Sequence, residues 1–390
     1  MHRNVDHSAL RLNIISLDRV RVIIVVVTYN CERYVDYIMG SLKEQLYDFS
    51  KVLFMVIDNA SRDGTLSKML SQLQKLDKLN WLIVRLPKNY GFVLANNVAL
   101  HLARKLLGDL NDRTVIFLNP DTRILNKNFL QQAESLTRVL PIVGFAMVSG
   151  NGETVDSLGA YVDYLGNPQD ILCGVKVSSR LVKLIGRLPL LYSVPYVCFA
   201  ATAVRGDVLE SLGFLRPFYI IYFEDTEFCL RAWSEGIPVL AYREFMVWHA
   251  RGGTQASMQR NKSIEVKGSE LDILYHFSKN SLLLTYEYLG VVKFLVRSLL
   301  YLLISILFKR KHLIRAVCGS LRIIVQKRIK PKRLPKGLIL FNPQTWVFLW
   351  ALKCFLQKPS TSSLQDCITY GVQRASLEYI RYRFFSKMQT

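Results

Sequence analysis

Four short apolar runs rich in β-branched residues, alternating with helical patterns, constrain this chain more than any other feature. They are "RVIIVVVTYN" (21–30), "KVLFMVIDNA" (51–60), "NWLIVRL" (80–86) and "TVIFLNP" (114–120). Continuous runs of this length read as strands buried on both faces of a parallel sheet. Helical patterns lie between them: one over 32–46 (Tyr34, Ile38, Leu42, Leu46), one opened by "SRDGT", and "GFVLANNVALHLARKLL". The alternation predicts an open, mostly parallel, doubly wound α/β sheet flanked by helices. In such a sheet ligands bind beyond the carboxyl ends of the strands.

Each of the four strands ends in a polar cluster: "TYN", "DNASRDG", "PKNYG" and "NPD". Asn, Asp and Gly are ordinary turn residues, but four such clusters on one sheet edge point to a ligand site. The last of them, in "FLNPDTRI", offers one carboxylate, Asp121, with Asn119 two positions before it. Further along, Glu224 and Asp225 follow the aromatic "FYIIYF" and open a helical "TEFCLRAW" that contains Arg231. Acids favour a first helical turn in any case. "VWHARGGT" then places His249 and Arg251 beside a Gly-rich loop after a last strand.

Taken in order, "VVVTYN", "VIDNASRDGT", "NYGFVLANN", "FLNPDT", "YFEDTEFCLRA" and "WHARGGT" resemble the family 2 glycosyltransferases of the GT-A (Rossmann-like) fold. The rhamnosyltransferase-like bacterial and archaeal members are the most similar, and the resemblance covers residues 21–255. It implies a nucleoside-diphosphate-sugar donor, a divalent cation (Mg²⁺ or Mn²⁺) and inversion at the anomeric carbon. It implies Asp225 as general base, with Glu224 orienting the acceptor or holding its loop. Asp121 is the metal ligand expected from chemistry too, since a hard cation often takes one or two carboxylates and completes its shell with phosphate oxygens and water. Asn119 departs from the family's Asp-x-Asp pattern, so its role is a hydrogen bond to ribose or to metal-bound water. His249 is either a satisfied core histidine or a metal or diphosphate contact, and Arg251 suits a phosphate clamp. Thr28, Asn30, Asp58 and Asn59 fall where base and ribose could be hydrogen-bonded. Gly91 permits close backbone approach at a helix start, with Asn89 and Asn96 (or Asn97) beside it.

Charge separates the last part of the chain from the rest. The net charge is +21, and residues 276–390 hold 20 Lys/Arg against 3 Asp/Glu, a net of +17. "YLGVVKFLVRSLLYLLISILF" (288–308) sets Lys293 and Arg297 on one face and Leu295, Leu299, Leu302 and Ile306 on the other. That pattern fits a helix lying in a membrane interface with its cations snorkelling better than a span. "WVFLWALKCFL" (346–356) adds a second apolar patch. The expected organisation is an N-terminal segment (1–20), a nucleotide-sugar half (21–124), an acceptor half (125–275) and a basic helical membrane-associating extension (276–390). The seven scattered cysteines form no CxxC pair, which favours a reducing compartment over a disulfide framework. No apolar signal region opens the chain, so the expected place is the cytoplasmic membrane face, peripherally attached to anionic lipid. The expected acceptor is a glycan, lipid-linked or free, in cell-surface polysaccharide or glycoconjugate synthesis. No nucleic-acid-binding signature accompanies the charge. Two rival readings stay open: a nucleotidyltransferase on a similar sheet, and a catalytically inactive membrane-bound scaffold.

Overall fold

The structure, a computed structural model, describes residues 10–163, 166–186, 189–251, 272–335 and 338. A short β1 (Leu10–Asn13) precedes the four apolar runs, which form β2 (Val22–Thr28), β3 (Val52–Asp58), β4 (Asn80–Arg85) and β5 (Thr114–Leu118). Every residue of β2, β3 and β5 is buried. Enclosing each large aliphatic side chain is worth about 1.5–3 kcal/mol, which is why these runs tolerate no polar alternation. β2 pairs in parallel with β3 and β5, and β3 with β4. The helices α1 (Val35–Lys43), α2 (Thr65–Leu73) and α3 (Gly91–Leu107) make the crossovers. β1, from the N-terminal segment (1–20), pairs antiparallel with β4 and closes that edge.

After β5 come β6 (Thr122–Ile124), α4 (Phe129–Thr137), β7 (Ile142–Ser149), β8 (Val155–Ser157), β9 (Ala160–Val162) and β10 (Pro168–Asp170). The chain continues through α5 (Arg180–Ile185), β11 (Leu191–Ser193), β12 (Ala201–Arg205), α6 (Gly206–Leu212), α7 (Glu224–Ser234) and β13 (Val239–His249). The main sheet runs β1-β4-β3-β2-β5-β12-β7-β13-β11, without a break at the expected boundary near 124. From β4 to β5 it is parallel and beyond β5 mixed, because β12 enters antiparallel between β5 and β7 while β13 runs parallel to β7. The apolar, aromatic "FYIIYF" before the helix is not a strand. Ile220, Tyr222 and Phe223 have φ of 64°, 66° and 67°, a left-handed backbone that cannot pleat.

Three further helices close the described chain: α8 (Ile273–Leu284), α9 (Val291–Phe308) and α10 (Lys311–Gln326). α8 packs into the same core as the sheet and its helices, since Leu282, Leu283 and Leu284 share one buried cluster with residues of α3 and α7. A buried ionic network reinforces the junction. Arg216 pairs with Glu227 (3.2 Å) and Glu287 (2.6 Å), and Arg231 pairs with Glu227 (3.0 Å). Arg231 therefore serves the fold, not the ligand cluster. α9 corrects the expected amphipathic arrangement. Arg297 turns inward to Asn167 (2.6 Å) and Thr285 (3.2 Å), and Leu302 packs partly against the core. The outward strip, with Val292, Leu295, Leu299, Ile306 and Leu307 more than half exposed, is wholly apolar. By length and composition α9 could also cross a membrane. The second patch, 346–356, lies outside the described residues.

Candidate active site

Two strands zip the first acidic centre together. β6 pairs antiparallel with β13, placing Thr122 opposite His249, and the Ala250 N–H donates to the Asp121 carbonyl at 2.9 Å. The side chains follow the backbones. His249 Nε2 lies 3.3 Å from Asp121 Oδ1, and Nδ1 lies 2.9 Å from Asp156 Oδ2. Asn119 Nδ2 stands 3.5 Å from Nε2. Burial opposes a charged imidazolium, yet the bonds to Asp121 and Asp156 outweigh it and raise His249 to about 9. Arg251 does not point into open space as a phosphate clamp. Its guanidinium is taken up by Asp156 and Asp170 in ion pairs.

The second centre sits at the start of α7. Glu224 is buried, and its Oε2 has no hydrogen-bond partner among the described residues. Asp225 keeps part of its surface open, and its Oδ1 accepts from the Thr226 N–H at 2.6 Å. Burial raises both carboxyls, with Asp225 adding repulsion at Glu224 and Asp170 adding it at Asp225. The turn before β12 joins the two centres. The backbone of its Phe199 acts to lower the Asp225 carboxyl, while its Ala200 carbonyl accepts from the Asn119 N–H at 3.0 Å.

The residues expected to line a nucleotide pocket divide into two groups. Thr28 and Asp58 are wholly enclosed and bond each other at 3.0 Å, Asp58 also accepting from the Ser61 N–H at 3.1 Å. Asn59 is buried too: its side chain donates to the Gly91 carbonyl and accepts from the Tyr90 N–H, both at 3.0 Å. Asn96 is buried and donates to Phe92 of its own helix at 2.9 Å, and Asn97 ties α3 to Leu215. Thr28, Asp58 and Asn59 brace the strand ends, where side chains converge and satisfy one another, while Asn96 and Asn97 bond within α3 and to Leu215. Asn30 is exposed and Asn89 half-buried. Both still bond locally, Asn30 to the Arg62 N–H (2.8 Å) and Asn89 to the Gly91 N–H (2.9 Å). Gly91, at φ +84°, does need to be glycine, since a Cβ there would stand 2.7 Å from the Ile220 carbonyl oxygen.

Residues 23–213 match the description "Glycosyl transferase family 2". This region is a family 2 glycosyltransferase domain. The chain is 24% identical over 285 residues to the low-salt glycan biosynthesis hexosyltransferase Agl10 of Haloferax volcanii, covering 72% of this chain and 85% of that protein. It is 24% identical over 253 residues to the dTDP-rhamnosyl transferase RfbF of Shigella flexneri, covering 64% and 73%. Among solved structures, that of GalNAc-T7 with UDP, GalNAc and Mn²⁺ aligns with a TM-score of 0.50 and 14% identity. The alignment takes in 69% of this chain and about half (48%) of that one. The glycosyltransferase fold is thus GT-A.

The matched span ends before Glu224, Asp225 and His249, so their place in this glycosyltransferase rests on geometry. Asp121 and His249 suit a divalent cation as two converging ligands that leave further positions for phosphate and water. Asp156 behind His249 supplies the carboxylate–histidine support common around metal ligands. Among the described residues no group of three or more His, Cys, Asp or Glu side chains is arranged to hold a metal ion. Sequence reasoning missed Asp156 and Asp170. They lie in the short strands β8 and β10, where no periodicity or motif marks them.

Proposed function

We propose that the chain is an inverting transferase that moves a sugar from a nucleoside diphosphate to a hydroxyl of a glycan acceptor. The observation that carries this reading is the pairing of two acidic centres on one turn, Asp121–His249 on one side and Asp225 on the other. A cation bound at the first centre would neutralise the departing diphosphate. Asp225 accepts the acceptor's proton as the hydroxyl oxygen bonds the anomeric carbon. The bond from that carbon to the diphosphate breaks on the opposite face, and the diphosphate keeps the electron pair. Burial makes Asp225 a stronger base than an ordinary carboxylate, which suits proton abstraction near neutral pH. Glu224, with an oxygen awaiting a partner, orients the acceptor.

Product analysis tests the reaction class. Incubation with UDP-, dTDP- and GDP-sugars should release nucleoside diphosphate and leave an inverted product. Pyrophosphate release would make the chain a nucleotidyltransferase, and no release from any donor would favour the inactive scaffold.

The proposed location is the cytoplasmic face of a membrane, with the apolar strip of α9 in the lipid. Basic residues follow it at once, Lys309, Arg310, Lys311 and Arg315, each worth about 1 kcal/mol near an anionic surface. In flotation assays the chain should rise with vesicles containing anionic lipid and much less with zwitterionic ones. Equal binding to both, resistant to carbonate, would mark a spanning helix instead.

A further inference from the structure

The segment that delivers Glu224 and Asp225 is held in an unusual way. Between Phe218 and Phe223 three non-glycine residues occupy the left-handed region (Ile220, Tyr222 and Phe223). Such a backbone persists only where its surroundings over-determine it. Here every carbonyl from 218 to 222 accepts a hydrogen bond. The Val93 N–H of α3 donates to Ile220 at 3.0 Å. The other four are served by two adjacent side chains of α8. Lys279 Nζ donates to the Phe218 carbonyl. Asn280 Nδ2 shares its two N–H groups among the carbonyls of Tyr219 (2.7 Å), Ile221 (2.8 Å) and Tyr222 (2.8 Å), and the Tyr219 carbonyl also accepts from the Ile221 N–H at 2.7 Å.

Asn280 is wholly buried and Lys279 nearly so. No carboxylate pairs with Lys279 among the described residues, and burial lowers it to about 8. A buried ammonium hydrogen-bonded to a carbonyl rather than paired with a carboxylate is costly in a core built for stability alone. Phe277, one turn away, packs edge-to-face on Tyr222 and Phe223 with centroids 5.9 and 5.0 Å distant. Gly91 closes the segment from the other side, with no room for a methyl group against Ile220.

We propose that Lys279 and Asn280 are positioning residues that fix the 218–223 segment and thereby aim Asp225 at the acceptor. The inference rests on the reading of Asp225 as the base. It makes α8, C-terminal to the matched family span, a working part of the catalytic unit. The signal was present in the sequence, since "SKNS" interrupts an otherwise apolar helical stretch.

The test uses full-length Asn280→Leu and Lys279→Met, which keep side-chain volume and remove the donors. Hydrogen exchange should quicken at least tenfold in peptides covering 217–226, with β2, β3 and β5 unchanged. Nucleoside diphosphate release from the sugar donors, with water or octyl glucoside as acceptor, should show kcat down at least tenfold while the donor KM stays within about twofold. Combined with Asp225→Asn, Asn280→Leu should add no further loss. Unchanged exchange over 217–226 in both variants would overturn the proposal, and so would faster exchange across the whole sheet. Normal turnover by Asp225→Asn alone would instead remove the base assignment, leaving the clamp to be judged by exchange.

Discussion

Asp225→Asn should lower transfer by about 10²–10⁴-fold, the range a positioned general base supplies, while nucleoside diphosphate still binds. The same variant should be more stable than the parent at neutral and alkaline pH. The sign follows from the direction of the shift. Burial raises the Asp225 carboxyl above its unfolded value, so between those two values the folded chain holds a proton that the unfolded chain has lost. Stability therefore falls as pH rises through that window and stays lower above it. Asparagine removes the penalty, a gain on the order of 1–3 kcal/mol, which disappears below the unfolded carboxylate range. Transfer by the parent enzyme should rise with pH across the same window, its acid limb displaced upward from an ordinary aspartate's. Thermal melts and rate profiles from pH 4 to 9 read both effects. Loss of donor affinity in parallel with rate would move Asp225 from proton transfer to donor binding.

The second large effect concerns Asp121. Calorimetry of UDP, dTDP and GDP against the parent chain should show one nucleotide binding with Mn²⁺ or Mg²⁺ and losing affinity in EDTA. Asp121→Ala should weaken that binding on the order of 100-fold and abolish its metal dependence, since a single protein carboxylate anchors the ion. Asp156→Asn, at the carboxylate that orients His249 and also pairs with Arg251, should cost about 10–100-fold. Affinity in the parent that EDTA leaves untouched would show that the Asp121–His249 pair serves something other than a cation.

Much of the fold could be read directly. The four β-branched runs became β2 to β5 with ends displaced by only a few residues, because burial on both faces leaves a continuous signature. The order of the second half could not be read, since the place of β12 and β13 depends on which strand accepts a partner, not on periodicity. At the site, Asp121 and His249 could be picked out because each follows an apolar strand, and the structure brings their side chains within 3.3 Å. Whether a polar side chain at a strand end meets a ligand or another side chain was not legible. Asp58 and Thr28 match the ligand-contact pattern yet satisfy each other, and Arg251 is claimed by two aspartates whose sequence surroundings say nothing. Tertiary hydrogen bonding decides such cases.

The pairing of β6 with β13 has a consequence for how the protein comes into being. Asp121 leaves the ribosome 128 residues before His249, and the strand that unites them is β13, which also completes the sheet beside β7. Contacts so distant along the chain form slowly, because a long loop must close before they gain anything. The parallel β2–β5 unit can take shape early in synthesis. The Asp121–His249 pair exists only once β13 has docked, so under the proposed metal role a nascent or truncated chain lacking it should fold its first half and still be unable to retain a cation at Asp121.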